Sequence, residues 1–322
     1  MMPALEAADT QRPRVLVLMA SYNGASWVEA QLRSIFAQQI LLSLAVRDDA
    51  STDDTLTVIQ AACDRQPNVV IHRASAPSGS AAKNFFMLMQ SVDVTGQDFV
   101  ALADQDDVWE PDKLARAVAC LRKSGATGYS AAVRAFWPNG KTAVLSQNPR
   151  PTAADYLFEG AGQGCTFVMR TAFFARVQRT LTSHRSLLAR IHYHDWALYA
   201  LCRIESGRWF YDHRVCMQYR QHEANDTGAR SGLAAMKKRI ALVRSGWYGE
   251  QIDAIARLCV AADTASGAPA SLYLRYCYAA KAGLMGRLAL CRFVLRAGRR
   301  RLSDRLLLAW AALSGHLTRD AV

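Results

Sequence analysis

The first hundred residues alternate between short apolar runs and amphipathic segments. Continuous apolar runs that end in turn residues are typical of strands buried on both faces of a parallel sheet. The four predicted strands span residues 15–20, 42–46, 69–71 and 99–103. The predicted helices between them span residues 26–38, 52 or 53 to 64, and about 80–90. Strands alternating with helices form βαβ units, so the sequence predicts an α/β fold with a mostly parallel sheet.

Beyond Pro111 the apolar pattern changes. Residues 129–136 and 142–145 are predicted to form a hairpin around the turn Asn139-Gly140. A glycine-rich patch follows and leads into a predicted strand over residues 165–169, and helical segments surround Asp195. From Ser231 onward the pattern is helical, and Arg or Lys interrupts each apolar stretch before it could span a bilayer.

Basic residues are concentrated towards the end of the chain. The net charge is +12, and about 16 Lys and Arg against about 5 Asp and Glu follow residue 229. We therefore predict an N-terminal tail over residues 1–13, a near-neutral α/β body over residues 14–228, and a basic helical region over residues 229–322.

The eight cysteines are scattered, and none has the CxxC spacing of a zinc knuckle. The first fourteen residues contain no apolar stretch and include Glu6 and Asp9, so we expect neither a signal peptide nor a membrane anchor. Together these features predict reduced thiols and a cytoplasmic location.

Three carboxylates lie within four residues, directly after the fourth predicted strand. In the run Asp104-Gln105-Asp106-Asp107 they repel one another and need a compensating charge. Loop carboxylates suit Mg²⁺ or Mn²⁺, which keep coordination positions open for phosphate oxygens. The alternative is a solvated acidic loop, or an N-cap for the helix that starts near Pro111. The position after a buried strand favours the metal site.

Polar clusters also follow the first two predicted strands. They are Ser21-Tyr22-Asn23-Gly24 and Asp48-Asp49-Ala50-Ser51. Ligands of open α/β sheets bind at the carboxyl ends of strands. A carboxylate there can accept a hydrogen bond from the imide N–H of uracil or thymine, whereas the alternative is helix capping by Ser51 or Asp53.

Taken in order, these motifs resemble the family 2 glycosyltransferases of the GT-A fold. The acidic run followed by Val-Trp, the later His194-Asp195-Trp196 and the segment Tyr219-Arg220-Gln221-His222 are similar to the bacterial rhamnosyltransferase-like branch. The resemblance covers about residues 14–228. It implies a Rossmann-like sheet flanked by helices, with a nucleotide-sugar half over residues 14–110, an acceptor half over residues 111–228, and a C-terminal helical extension.

The resemblance implies donor and metal residues position by position. Five residues would contact the nucleotide-sugar: Ser21, Tyr22, Asp49, Lys83 and Asp104. Among them, Asp49 would contact the base and Asp104 the ribose. The metal would be held by Asp106 and His222. Two positions depart from the family pattern, because Ala50 stands where Gly is usual and Lys83 where Arg is usual.

On the acceptor side, the resemblance implies Asp195 as the catalytic base. It places four further residues at the acceptor or in its glycine loop: Gly162, Gly164, Trp109 and Trp196. Sugar transfer needs leaving-group stabilisation, which a cation supplies, and a carboxylate to accept the hydroxyl proton. One base and one metal suit a single in-line displacement with inversion. The alternatives are a plain helix residue for Asp195 and a structural role for His222, while His192 and His194 could mimic a metal pair.

The C-terminal arginines admit two interpretations. Arg296, Arg299, Arg300, Arg301 and Arg305 lie beside Leu302, Leu306, Leu307, Leu308 and Trp310. This composition is typical of an amphipathic helix on anionic lipid, and it equally fits a basic face packed on the protein. The first interpretation predicts a peripheral location on the inner face of the cytoplasmic membrane.

Other classes of function fit less well. A sugar-nucleotidyltransferase would carry a basic, glycine-rich loop after the first strand, and an oxidoreductase would carry GxGxxG there. A pI of about 9.5 suggests a nucleic-acid-binding protein, but the body is neutral, so we expect no nucleic-acid partner. We predict an inverting, metal-dependent transferase that uses a dTDP- or UDP-sugar. Its acceptor would be a growing surface polysaccharide, a lipopolysaccharide glycan or a lipid-linked saccharide.

Overall fold

The computed structural model describes residues 12–147, 150–222, 233–262 and 268–318. The chain forms two compact units. The first comprises the described residues up to Gln147, Gly162–Thr182 and Arg208–His222, and the second comprises residues 150–161, Ser183–Gly207 and the described residues from 233 onward. Residues 1–11 of the predicted tail and the predicted boundary at residues 228–229 lie outside the described residues. The domain boundaries stay a prediction.

The first unit is built on a single sheet. Its strands within the described residues are β1 (Arg14–Ser21), β2 (Leu41–Asp48), β3 (Val69–Arg73), β4 (Phe99–Ala103), β5 (Val108–Trp109), β6 (Gly128–Phe136), β7 (Thr142–Leu145), β8 (Val168–Arg170) and β9 (Trp209–Arg220). The order is β3-β2-β1-β4-β8-β6-β9-β5, and β7 pairs with β6. Strands β3, β2, β1 and β4 are parallel, as are β6 and β9. The predicted α/β fold is confirmed.

Helices connect these strands, and the first three correspond to the helices that the apolar pattern predicts between the parallel strands. They are α1 (Val28–Phe36), α2 (Thr55–Cys63), α3 (Ala81–Ser91), α4 (Lys113–Ser124) and α5 (Thr171–Ser183). Ser80 caps α3, because its hydroxyl accepts a hydrogen bond from the Lys83 N–H at 3.3 Å. Strand β1 is buried from Val15 to Ser21, since it lies between two parallel neighbours and below helices.

Two parts of the first unit differ from the sequence prediction. The predicted strand at residues 165–169 is wrong in its first half. Residues Gly164–Thr166 form a 3₁₀ turn, in which the Thr166 N–H and hydroxyl both donate to the Gln163 carbonyl, and β8 starts only at Val168. Strand β9 was not predicted. It pairs in parallel with β6, where Gly128 leaves room for the Trp209 ring, because a Cβ at Gly128 would lie 2.3 Å from that ring.

The second unit is helical. Its helices are α6 (Arg185–Leu188), α7 (His194–Ile204), α8 (Leu233–Arg244), α9 (Trp247–Ala262), α10 (Ala268–Ala282), α11 (Leu284–Ala297) and α12 (Leu302–Leu313). Phe158, Tyr273 and Phe293 form an aromatic cluster in its core. The predicted helical C-terminal extension is confirmed for the described residues, and none of their helices is both long and apolar enough to cross a membrane.

Two C-terminal arginines, Arg299 and Arg300, form ion pairs within the second unit. The Arg300 side chain is buried and pairs with Asp155 at 3.4 Å and with Glu159 at 3.0 Å. Arg299 pairs with Glu159 and with Asp304 at 3.3 Å and 3.6 Å. Charged side chains can be buried together only when opposite charges lie in contact, as these carboxylates and guanidiniums do. For these two arginines the lipid-facing interpretation is therefore wrong, and packing on the protein explains their charge.

Candidate active site

Hydrogen bonds join the loop after β1 to the loop after β2. The Asn23 N–H donates to the Ser51 hydroxyl at 2.9 Å, and the Gly24 N–H donates to the Thr55 hydroxyl at 2.7 Å. In return, the Thr52 N–H donates to the Asn23 side chain at 2.9 Å. The carboxyl ends of two neighbouring strands thus form one rigid edge, which is where α/β sheets bind ligands.

Asp49 is buried at this edge and firmly held. Its carboxylate accepts from the Ser78 N–H and the Ser78 hydroxyl, the latter at 2.7 Å, and it pairs with Arg47 at 2.7 Å. Arg47 also donates to Asn84 at 2.6 Å, while Lys83, one residue earlier, is exposed in the first turn of α3. The predicted base-binding carboxylate is therefore fixed in direction by Ser78 and Arg47, and Arg47 is itself held by Asn84.

Ser21, at the end of β1, contacts the turn after β2. It is buried, and its hydroxyl donates to Asp48 at 3.3 Å. The Asp48 carboxylate also accepts from the Ser51 N–H and hydroxyl, at 3.0 Å and 2.6 Å. Asp48 thus closes the turn that carries Ala50, which has a φ of 59° in the left-handed region.

Gln105, inside the acidic run, fastens that run to the first loop. Its amide donates to the Tyr22 carbonyl at 2.8 Å and accepts from the Tyr22 N–H at 2.9 Å. Gly24 is required for this contact, because a Cβ there would lie 2.2 Å from the Gln105 side-chain oxygen. Tyr22 itself is about half exposed, so its ring is open to a ligand.

Asp106 and His222, predicted as metal ligands, lie in contact. The His222 Nε2 is 2.8 Å from an Asp106 carboxylate oxygen, although the two residues are 116 positions apart. The His222 ring stacks on Trp27, with ring centres 4.3 Å apart. The backbone next to His222 is fixed too, because the Arg220 N–H donates to Asp107 and the Arg220 side chain donates to the Asp106 carbonyl. The structure thus presents the Asp106 and His222 side chains side by side.

Asp107 has a different environment. It is fully buried, and burial raises its pKa well above the usual range, with the neighbouring Asp106 and Asp104 charges adding to the rise. Asp107 and Asp104 lie close to the Cys165 thiol, with ligand atoms within 4.8 Å of one another. Burial and the nearby carboxylates raise the Cys165 pKa well above its ordinary value. A protonated thiol is a poor ligand for Mg²⁺ or Mn²⁺, so Cys165 and the buried Asp107 support the loop instead of holding the ion.

A divalent cation nonetheless fits the acidic run. Burial is the main cause of the raised Asp107 pKa, and repulsion from Asp106 and Asp104 adds to it, so a bound cation would offset part of this cost. The donor set of two carboxylates, Asp104 and Asp106, with the imidazole of His222 suits a metal that keeps positions open for phosphate oxygens. Asp104, Asp106 and His222 are therefore the residues that could hold the ion.

The two predicted acceptor tryptophans are both interior. Trp109 is buried and its ring lies 3.5 Å from the Nζ of Lys113, itself fully buried with a pKa lowered by burial. Trp196 is buried and donates through its ring N–H to the Tyr156 carbonyl at 2.8 Å. Both indoles therefore support neighbouring segments. In the predicted glycine loop, Gly162 has a φ of 120°, and Gly164 begins the 3₁₀ turn. Neither residue adds a side chain beyond the backbone.

Asp195 lies in the first turn of α7 in the second unit. It is partly exposed, and one carboxylate oxygen accepts from the Trp196 N–H at 2.7 Å. Part of its neighbour His194 is accessible, but the Nε2 is enclosed, and burial lowers the His194 pKa to about 3. His192 packs edge-on against Tyr193 and Trp247. Because the His194 Nε2 is enclosed, a solvent-exchanging metal cannot reach it, which favours a structural role for His194.

The structure brings the predicted donor and metal residues together in the first unit and places Asp195 and Trp196 in the second. Four contributors were not predicted: Trp27, Arg47, Ser78 and Gln105. Three of them, Trp27, Ser78 and Gln105, contact partners from other loops, whereas Arg47 contacts Asp49 at the end of its own strand.

An open α/β sheet with an acidic run and a histidine at the edge of its parallel strands defines a glycosyltransferase of the GT-A class. Solved structures agree on the fold. The chain superposes on S. aureus TarS 1–349 in complex with UDP-GlcNAc with a TM-score of 0.59 at 15% identity, covering 94% of this chain and 88% of TarS 1–349. It superposes on the mannosyltransferase PcManGT from Pyrobaculum calidifontis, in complex with GDP-Man and Mn²⁺, with a TM-score of 0.50 at 16% identity, covering 96% and 88%.

Sequence comparison identifies the family. A model described as glycosyltransferase like family 2 matches residues 13–194. The chain is 36% identical over 240 residues to the dTDP-rhamnosyl transferase RfbG of Shigella flexneri, covering 74% of this chain and 83% of RfbG. It is 28% identical over 147 residues to the uncharacterized glycosyltransferase alr2836 of Nostoc sp., covering 45% and 44%. The chain belongs to glycosyltransferase family 2, and it is an enzyme that transfers sugar from a nucleotide-sugar.

Proposed function

We propose that this enzyme transfers rhamnose from dTDP-rhamnose to a hydroxyl of a growing cell-surface polysaccharide or lipopolysaccharide glycan. The observation that carries the proposal is the 36% identity to a dTDP-rhamnosyl transferase over most of both chains. A UDP-sugar is the second candidate donor, since TarS binds UDP-GlcNAc. Thymine and uracil both carry an imide N–H, which could donate a hydrogen bond to the fixed, buried Asp49 carboxylate.

A divalent cation, Mg²⁺ or Mn²⁺, would be held by Asp106 and His222 with Asp104 beside them. The 2.8 Å contact between Asp106 and His222 supports this assignment, as does the Mn²⁺ in the PcManGT structure. When bound, the ion supplies positive charge for the departing diphosphate. Lys83, exposed at the start of α3, would add charge near the same phosphates, and Tyr22 would cover the nucleoside.

Asp195 would accept the proton of the attacking hydroxyl. Its carboxylate accepts a hydrogen bond from the Trp196 N–H at 2.7 Å. A carboxylate at the start of a helix that is oriented in this way is suited to accept a proton from a hydroxyl. One base acting on one hydroxyl gives a single displacement, so the product would have the inverted anomeric configuration.

The proposal is tested by replacing Asp195 with Asn. Donor binding is measured by calorimetry with dTDP-rhamnose and Mn²⁺, and transfer by incorporation of labelled rhamnose into a cell-envelope glycan fraction. We expect donor affinity to be retained and kcat to fall by roughly 10² to 10⁴. Asp64→Asn, at an exposed position after α2, is the matched control and should change neither quantity. Equal loss of binding and transfer would remove Asp195 from the role of base.

The predicted location, in the cytoplasm or peripherally on the inner face of the cytoplasmic membrane, stays a proposal. A lipid-linked saccharide acceptor would lie at that surface. Fractionation of cells that express the full chain would test it, since a peripheral protein is released from membranes by high salt without detergent.

A further inference from the structure

The turn between α10 and α11 carries a group of unusually exposed apolar side chains. Tyr278 is 82% exposed, Leu284 66%, Met285 79% and Leu288 46%. These four residues and the exposed Lys281 define what we call the α10–α11 tip. Large apolar residues exposed in one group mark interaction sites on soluble proteins.

An exposed apolar strip on α12 adjoins the tip. Leu302, Leu306, Trp310 and Leu313 are exposed and are spaced four, four and three residues apart, so they share one face of the helix. The end of α12 lies beside the tip, because a Cβ at Gly315 would be 3.2 Å from the Arg287 guanidinium carbon near the start of α11. The two apolar groups are therefore neighbours within the second unit.

The tip and the first residue of the strip, Leu302, lie in a long stretch that carries only positive charge. Residues 268–303 contain no Asp or Glu. The basic residues in this stretch are Arg275, Lys281, Arg287, Arg292, Arg296, Arg299, Arg300 and Arg301. Arg299 and Arg300 are committed to Glu159 and Asp155, but the side chains of five are exposed: Arg275, Lys281, Arg292, Arg296 and Arg301.

We propose that the α10–α11 tip and the adjoining α12 strip dock on an anionic lipid surface. Apolar side chains would enter the boundary between headgroups and acyl chains, and the flanking cations would contact the phosphates. A second copy of this chain is a poorer occupant, because a two-fold interface would place the same positive residues against one another. Docking would keep the enzyme at the surface where lipid-linked saccharides lie.

The test is sedimentation of the full chain with vesicles. Pure phosphatidylcholine vesicles are compared with vesicles that also contain phosphatidylglycerol. We expect binding to the anionic vesicles only, and Leu284→Asp with Met285→Asp should lower the partition coefficient at least about tenfold. The matched control, Met87→Asp with Val144→Asp, makes the same charge change at exposed positions of α3 and β7 in the first unit and should change binding by less than about twofold. Circular dichroism checks that both variants are folded.

A second pair of variants separates charge from apolar area. Arg292→Gln with Arg296→Gln should weaken binding to the anionic vesicles, whereas Arg122→Gln with Lys123→Gln, exposed at the end of α4, should not. Equal binding to both vesicle types, or unchanged binding by the tip variant, would overturn the proposal. So would a concentration-dependent dimer that the tip variant abolishes, since the surface would then belong to a second copy. Lipid binding needs neither donor nor acceptor, so its outcome is independent of the proposed transfer.

Discussion

Replacing Ala50 with Gly should stabilise the protein. Ala50 has a φ of 59°, and a left-handed backbone costs a residue with a Cβ roughly 1–2 kcal/mol. Glycine removes this cost but makes the unfolded chain more flexible, which offsets roughly 0.4–1 kcal/mol. The net gain is about 0.5–1 kcal/mol in the free energy of unfolding. The hydrogen bonds of Ser51 to Asp48 and Asn23 do not involve the Ala50 side chain, so they should survive.

The measurement is urea unfolding followed by tryptophan fluorescence. Ala37→Gly is the control, because Ala37 is exposed at the end of α1 with an ordinary φ of −77°. At Ala37 only the unfolded-state effect applies, so glycine should destabilise by roughly 0.4–1 kcal/mol. The two substitutions thus have opposite expected signs. A loss of stability in Ala50→Gly as large as that in Ala37→Gly would refute the backbone reasoning.

Three further predictions concern pH, packing and metal. Burial lowers the folded-state pKa of His194 from 6.5 to about 3, so the unfolded chain binds the extra proton and stability falls as pH drops below the unfolded value. Between about pH 7.5 and about pH 5.5, the free energy of unfolding measured with urea should fall by roughly 1.4 kcal/mol less in His194→Gln than in the unchanged protein. The control His213→Gln, at an exposed position, should not reduce the fall. Gly24→Ala should lower the free energy of unfolding by about 1–2 kcal/mol, because the added Cβ displaces the Gln105 side chain. In a Gln105→Ala background the same substitution should be nearly neutral, which a double-mutant cycle in the same assay tests. Asp106→Ala and His222→Ala should each raise the Mn²⁺ concentration that supports half-maximal donor binding at least about tenfold, and unchanged values would remove these residues from the metal site.

The sequence predicts the parallel half of the sheet well. Strand β4 has the predicted bounds, Phe99–Ala103, and all five residues are buried. A strand that is covered on both faces needs apolar residues throughout, so its own composition reveals it. The acidic run can then be placed, because the run begins where β4 ends.

Strand β9 could not be recognised in the same way. It carries Asp212 and Arg214 in its middle, and these pair with each other at 2.9 Å, while the Asp212 carboxylate also accepts from the Tyr129 hydroxyl on β6. Part of what satisfies the Asp212 carboxylate thus comes from a residue 83 positions away in sequence, and a local pattern does not contain that information.

The candidate site likewise contains residues that the sequence predicts and residues that it does not. The motifs of the resemblance predicted Asp106 beside His222, and the structure places them in contact. Trp27 behind His222 and Gln105 between two loops depend on how distant segments meet, so no local signal predicted them. Arg300 resembled a lipid-facing arginine because its partner Asp155 is 145 residues earlier and carries no matching pattern.

The most direct test of the central claim is a donor screen. Purified enzyme is incubated with dTDP-rhamnose, other dTDP-sugars, UDP-sugars and GDP-mannose, with Mg²⁺ or Mn²⁺, and release of nucleoside diphosphate is measured with and without an envelope glycan fraction. We expect dTDP-rhamnose to give the highest rate, and chelation of the metal or Asp106→Ala to abolish it. If no sugar nucleotide binds or turns over with metal present, the enzyme is not the metal-dependent glycosyltransferase that its fold, family and site indicate.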